Sequence, residues 1–461
     1  MASQCLRMSA FLQGLSRHRI KLLGFLVVCI LSAIVTCNLR QPQHDPRVDA
    51  LRKGGYPVTL VELDQWYPYL PDPQNAALIY TNAFASMLYT SSEGGGKNIG
   101  DIKPPSRNET LTADDKTELT EMIASNAVAF RLLYSAGQLT NSRYPIDFSK
   151  GFAMLLPHLA KIKGAVQLLR YKGVLHVANG EREEAFHSLQ AAIRASKSVE
   201  SEPVLISQLV RYACFAIVVK QLEYTENALP FSEPQLADLQ SSLAEAEHRS
   251  AVERALAGEL ACDLAVFSDA RQRSGVFSGP MSPASPSGPA LKERALVFAL
   301  QLSGIFAKDR AYLMDTLMTN MAVAKLDYPE RFQAGQKTAA AYGAAPNRLF
   351  ILSQMLLPAL GKFHTRDAEF VTNLRVAQTA LAIERYRLAH NNALPSSLDE
   401  LAPTYLKSAL IDPCDGQPLR FKKLDKGYVI YGVGSDGTDE GGAERKGSST
   451  AKYDITFTVE R

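Results

Sequence analysis

The feature that most constrains this fold is a change of hydrophobic period near Phe363. From about residue 112 to 265, apolar residues recur at three- and four-residue intervals, as amphipathic helices require. After Phe363 one more helical stretch, with Phe370, Leu374, Ala377, Leu381 and Leu388 on one face, gives way to short runs with the period of strands. A chain of 461 residues is too long for one ordinary core. The two periods predict a mainly α fold of helical hairpins with a small C-terminal α+β module.

Punctuation residues divide the pattern further. Residues 40–74, rich in proline and polar groups, read as an extended stalk. Residues 75–273 form a helical domain, 274–289 a Ser/Pro/Gly-rich linker or loop, 290–362 a helical continuation, and 363–461 the C-terminal module. Within the helical domain, Thr112 starts one run through Leu133, Pro157 marks a start or kink, and Asn179-Gly180 breaks the chain before Glu181–Ala195. Pro203 to Thr225 is an apolar helix, and Ser232-Glu233-Pro234 opens another that extends past Ala246 towards Phe267. The stretch from Gly173 to Ile193 resembles the turn and second helix of a tetratricopeptide-type hairpin. Only one copy is clear where a solenoid needs about three, so an ordinary antiparallel helix pair is the competing reading.

Ile20 to Leu39 is almost wholly apolar, about the 20 residues that cross a bilayer core as a helix. Arg17, Arg19 and Lys21 precede it, so residues 1–19 are expected in the cytoplasm and the bulk of the chain outside it, anchored by 20–39 as a single-pass transmembrane helix. A cleaved signal peptide and a lipoprotein signal using Cys37 are the alternatives.

Hydrophobic residues at 46% and charged residues at 21% are the balance of a globular chain. A net charge of +3 with no dense basic patch beside aromatics gives nothing that predicts a nucleic-acid or polyanion partner, so no nucleic acid is expected. The six cysteines show no Cys-x-x-Cys pair and no zinc spacing. Cys214 and Cys262 are either buried free thiols or, outside the cytoplasm, a disulfide. No Gly-x-Ser-x-Gly elbow, phosphate loop, dinucleotide fingerprint or His-Glu-x-x-His occurs, so no catalytic residue is assigned. His158, His176, His187, His248, His364 and His390 fall singly, as structural histidines do. Trp66 is expected to pack the stalk onto the helical body, a partner contact being the other reading.

The C-terminal residues carry a more specific pattern. Ser397 and Glu400 have capping-box spacing, Asp412-Pro413-Cys414-Asp415-Gly416 is turn chemistry, and Leu419–Lys423 with Tyr428–Val433 flank Asp425-Lys426-Gly427 as a hairpin. A polar loop of Gly, Asp and Ser runs from Gly434 to Thr450, and Tyr453–Val459 alternates as a last strand. In order, Ala380–Leu388, Leu394-Pro395 with Leu398–Leu401, Asp412-Pro413-x-x-Gly416, Tyr431–Gly437 with Gly441-Gly442, and Asp454-Ile455 resemble the globular part of type II secretion major pseudopilins. The resemblance covers roughly a fifth of the chain. The whole resembles membrane-anchored helical envelope proteins of planctomycete-type bacteria. It departs from a true pseudopilin at Cys29, where a glutamate belongs five residues after Gly24, and in the long insertion between the apolar segment and the module.

The resemblance implies a calcium ion held by Asp436, Asp454 and Asp439. Residue chemistry is compatible, since calcium takes six to eight oxygen ligands and a glycine-rich loop exposes carbonyls beside carboxylates. A solvated acidic turn is the alternative, and Gly447 stands where an EF-hand needs its bidentate glutamate. The functional expectation is a non-enzymatic scaffold or interaction protein whose partners are the membrane and other envelope proteins. The alternatives are a small-molecule-binding protein or enzyme with its site between the helices, and an atypical pseudopilin-like secretion component.

Overall fold

The computed structural model describes residues 45–88, 104–268, 304–342, 350–357, 360–445 and 452–461. The expected anchor at 20–39, the cytoplasmic segment 1–19 and the linker 274–289 lie outside the described residues. The fold is mainly helical, with a small three-stranded antiparallel sheet near the C-terminus.

Residues from Asp45 to Gln74, expected as a stalk, are instead folded onto the body. Helix α1 (Pro46–Lys53) starts on Asp45, whose side chain accepts from the Arg47 amide. Helix α2 (Leu60–Trp66) starts on Thr59. Leu51, Val58, Leu63 and Tyr67 are buried, so the prolines around them shape turns between packed helices. Trp66 lies near Tyr56 and under the Arg254 guanidinium, 5.2 Å from the ring centre, so its contacts are internal.

Helix α3 (Ala76–Ala85) follows, then α4 (Ala113–Ser125) and α5 (Ala127–Ala136). The expected single run from 112 to 133 is broken at Asn126, which is fully buried. Its amide donates to the Met122 carbonyl one turn back and its oxygen accepts from the Leu88 amide, so one local and one tertiary hydrogen bond hold the break. Helices α6 (Pro157–Asn179), α7 (Arg182–Lys197) and α8 (Leu205–Ala228) then pack as antiparallel neighbours. Gly173 of α6 permits the closest approach: a Cβ there would lie 2.1 Å from Gln221 Nε2 of α8.

Helix α8 is the centre of the fold, packed on α6, α7, the C-terminal helix and the last strand. Among the described helices it is the one long and apolar enough to cross a membrane, yet 61% of its apolar stretch is buried within the protein. That burial makes it a core helix here, with Cys214, Phe215, Val218 and Leu222 enclosed. Cys214 and Cys262 are buried free thiols, and burial raises the Cys214 pKa to about 12.

Helices α9 (Glu233–Glu245) and α10 (Ser250–Ser268) replace the single helix expected past Ala246. Arg211, 1% exposed, donates to the Ala246 carbonyl from α8 and so holds the end of α9. Gly258 of α10 lies against the loop before α8, where a Cβ would sit 1.8 Å from the Pro203 carbonyl oxygen. Gly258→Ala is therefore expected to cost about 1–3 kcal/mol, as overpacking does, measured as a lower urea midpoint with unchanged slope.

Helices α11 (Ile305–Ala324), α12 (Glu330–Tyr342) and α13 (Ile351–Leu356) lead to α14 (Phe363–Ala389), which packs along α9 and α8. Burial along α14 ends at Glu384, so Leu388, expected on the core face, is exposed. The 398–401 turn is a 3-10 helix in which Glu400 accepts from the Ser396 amide; the Ser397 side chain makes no cap, so the expected capping box is absent. Strands β1 (Arg420–Lys423), β2 (Tyr428–Gly432) and β3 (Ile455–Val459) lie in that order, all antiparallel.

The free edge of β3 is closed by α8. Glu223 accepts from the Thr458 amide, and Asn227 donates to the Thr458 carbonyl and accepts from the Glu460 amide. Open strand edges are aggregation hazards, and here two helix side chains satisfy that edge. One continuous core runs from Leu51 to Val459, so the C-terminal residues share their interior with the helical body.

Candidate functional site

A groove of about 870 Å³ opens between α8, the start of α14, and the segments 434–436 and 453–456. Its floor is apolar. Leu209, Ala213 and Ala216 lie along one stripe of α8, and Phe363 and Phe370 face them from α14. The Tyr212 ring stacks on Phe370 with centroids 4.2 Å apart. Charge lines the rim, and most of it is internally matched. Arg366 pairs with Glu369, Lys452 with Asp436, Lys220 with Glu223, and Glu444 with Arg107.

The acidic loop forms one end of this groove. Asp436 and Asp454 line it; Asp439 is not among the groove residues. Asp436 accepts from the Thr438 amide and lies 3.4 Å from Lys452 Nζ. Asp454 accepts from the Gly442 amide at 2.8 Å and the Glu440 amide at 3.4 Å, which ties the loop to the entry of β3. Burial raises its pKa against these bonds. Asp439 accepts from the Gly441 amide and from Arg420, and these contacts, the backbone bond first, hold its pKa low. Glu440, which sequence reasoning passed over, belongs with Asp436 and Asp454. Desolvation, then the charges of Asp436 and Asp454, raise its pKa against Lys452, and the Glu440 and Asp454 carboxyl groups meet, although the enclosed Oε2 makes no well-formed hydrogen bond among the described residues. No three acidic, histidine or cysteine side chains converge as a ready metal centre among the described residues.

Beneath the groove floor lies a buried polar cluster. Asp367 accepts from the Tyr212 hydroxyl at 2.7 Å and from the Tyr328 hydroxyl, and Arg331 Nη2 lies 2.5 Å from its Oδ2. Burial, then the Asp367 charge, push both phenols well above their ordinary range. Burial opposes the charge of Arg331, but Asp367 and the two tyrosines outweigh it and raise its pKa. His364 Nε2 meets Asn320 Oδ1 at 2.8 Å, and burial lowers the ring's pKa to about 4, so it is neutral at physiological pH.

Among the described residues the other histidines have separate partners. His158 meets buried Glu202 at 2.8 Å and stacks on Tyr144, while His176 meets Glu181 and His390 stacks on Tyr386. Ser207 also donates to Glu202, on its other oxygen. A shared carboxylate without a serine–histidine bond is packing chemistry, since nucleophilic catalysis needs the base to touch the nucleophile. No family model, curated protein or solved structure matches this chain.

Proposed function

We propose that this chain is a non-enzymatic envelope protein, tethered to the bacterial cytoplasmic membrane by residues 20–39, in which a pseudopilin-like module is built onto a helical body. The observation that supports it best is the order α14, hairpin, glycine-rich acidic loop, β3, with Asp454 bracing the loop at the entry to the last strand. The α6–α7 pair, joined at Asn179-Gly180, reads as one tetratricopeptide-like hairpin inside that body. The protein acts by presenting the surface around the module to other envelope proteins.

Asp436, Glu440 and Asp454 are the residues that would hold calcium, with loop carbonyls completing the oxygen set. Glu440 replaces Asp439 in that set, because Asp439 is committed to Arg420 and Gly441. The mutual repulsion of Glu440, Asp436 and Asp454 is the feature a cation would relieve. Calcium there would supply positive charge to the loop at the entry of β3, in place of the charge Lys452 now brings to Asp436.

The test is the unfolding free energy of the full chain in millimolar calcium and in chelator. A ligand at 100 times its dissociation constant adds about 2.7 kcal/mol. That gain is expected for the native chain and absent in Asp454→Asn and in Glu440→Gln. Equal stability in both buffers leaves the loop as an acidic turn. Recovery of the full chain in the soluble fraction of cells would overturn the tether.

A further inference from the structure

A second, smaller cavity of about 320 Å³ adjoins the groove. Ser106, Arg107, Asn108 and Arg170 line it together with Lys220, Glu223, Tyr224 and Glu444. Lys220 and Glu444 line both cavities, so the two meet at those side chains. Along α8 the lining runs through Leu209, Ala213, Ala216, Lys220 and Tyr224, a single stripe at three- and four-residue spacing. At about 1.5 Å per residue this trough is roughly 22 Å long. One end has an apolar and aromatic floor. The other is small and polar.

The polar end holds an unmatched charge. Arg107 is matched to Glu444 at 2.6 Å and to Glu460, and Lys220 to Glu223 at 2.6 Å. Arg170 has no acidic partner among the described residues, its Nε is buried without a hydrogen bond, and desolvation lowers its pKa with only Tyr171 opposing. A guanidinium does not deprotonate to escape such a site, and this half-buried one has an enclosed, unbonded Nε and no ion pair. A bound anion is the group that matches it.

We propose that the trough binds an anionic amphiphile, a single apolar chain ending in a carboxylate or phosphate. The chain lies over Leu209, Ala213, Ala216 and the Phe363–Phe370 floor, and the anionic end meets Arg170. This site shares the groove with Asp436 and Asp454 but rests on a different group, because Arg170 lies on α6 and lines only the smaller cavity.

Dodecyl phosphate, kept below its micelle concentration and in chelator, is the probe for the full chain by calorimetric titration and thermal unfolding. It is expected to bind and to raise the melting temperature. Arg170→Met is expected to bind about ten- to a hundredfold more weakly, the loss typical of a charged hydrogen bond. Its ligand-free melting temperature should equal or exceed that of the native chain, because no ion pair is lost and the enclosed Nε no longer lacks a partner. Ala216→Trp, which fills the trough, should lose dodecyl phosphate binding, and Lys362→Met, at the far rim, should keep it. Inorganic phosphate and dodecanol are each expected to bind far more weakly than the probe. No binding of dodecyl phosphate, equal binding by Arg170→Met, or inorganic phosphate binding as tightly as the probe would each overturn the proposal.

Discussion

Replacing Asp367 by asparagine is expected to destabilise the full chain by about 3–5 kcal/mol, the cost of breaking a buried ion pair from one side. The carboxylate takes two phenol hydroxyls and neutralises Arg331, which is itself 3% exposed. Asparagine keeps the volume but loses the charge, offers a single acceptor oxygen, and turns an amide donor towards groups that are already donors. Arg331 would retain only the Tyr328 ring, 5.3 Å from its guanidinium carbon, since its Nε already lacks a partner. Urea unfolding reads the loss as a lower midpoint at unchanged slope. The double variant Asp367→Asn, Arg331→Met should recover a large part of it, because no charge is left stranded. A single-variant loss below about 1 kcal/mol would show that the cluster is not the dry ion pair described. Tyr212 also forms the groove floor, so the same variant should loosen the groove where α8 meets α14.

A second large effect is expected on the alkaline side. Glu226 is fully buried, and burial together with the neighbouring Glu384 raises its pKa from 4.5 to about 8. Arg461, the Phe231 amide and Arg182 act against that rise. Glu384 is occupied by Tyr428, Arg387 and Arg461. The folded state therefore binds a proton that the unfolded chain has released. Stability from this group is fully present below about pH 4.5 and is lost as pH climbs to about 8. The raised pKa corresponds to about 3–5 kcal/mol. Glu226→Gln keeps the acceptor for Phe231 and removes the titration. Relative to native protein, the variant should gain several kcal/mol between pH 5 and pH 9, read from urea midpoints at both. Parallel pH profiles for the two proteins would rule this assignment out.

Much of the architecture was legible from residue spacing. The change from a period near 3.6 to a period of 2 located the sheet, and the hairpin around Asp425–Gly427 matches β1 and β2 within a residue or two. Proline at the head of α6 and Asn179-Gly180 at its end marked boundaries because they act through local backbone geometry. Two expected helices were too long for the same reason in reverse. At Asn126 and near Ala246 the local sequence permits a helix, and the interruption is held by distant partners, Leu88 and Arg211. The expected stalk failed because proline and polar content report the absence of long helices, whereas Leu51, Val58 and Leu63 supply enough apolar surface to dock short ones.

The candidate site was legible only in part. Asp436, Asp439 and Asp454 stood out as carboxylates in a glycine-rich loop, but that Arg420 engages Asp439 is decided by folding and not by neighbours in sequence. Arg170 carries no sequence signal at all. One arginine in an amphipathic helix looks like any other until the acids near it, Glu223 and Glu444, are seen to be paired with Lys220 and Arg107. What the sequence by itself determined is the local content: helices where apolar residues recur at helical spacing, strands where they alternate, and turns where Gly, Asn, Asp and Pro set the backbone. Only the tertiary structure decided that α8 is a core helix, that its Glu223 and Asn227 close the edge of β3, and that Asp367 and Glu226 are buried. Each of these depends on contacts between residues far apart in the chain, where burial and the pairing of charge are set by packing and not by neighbours in sequence.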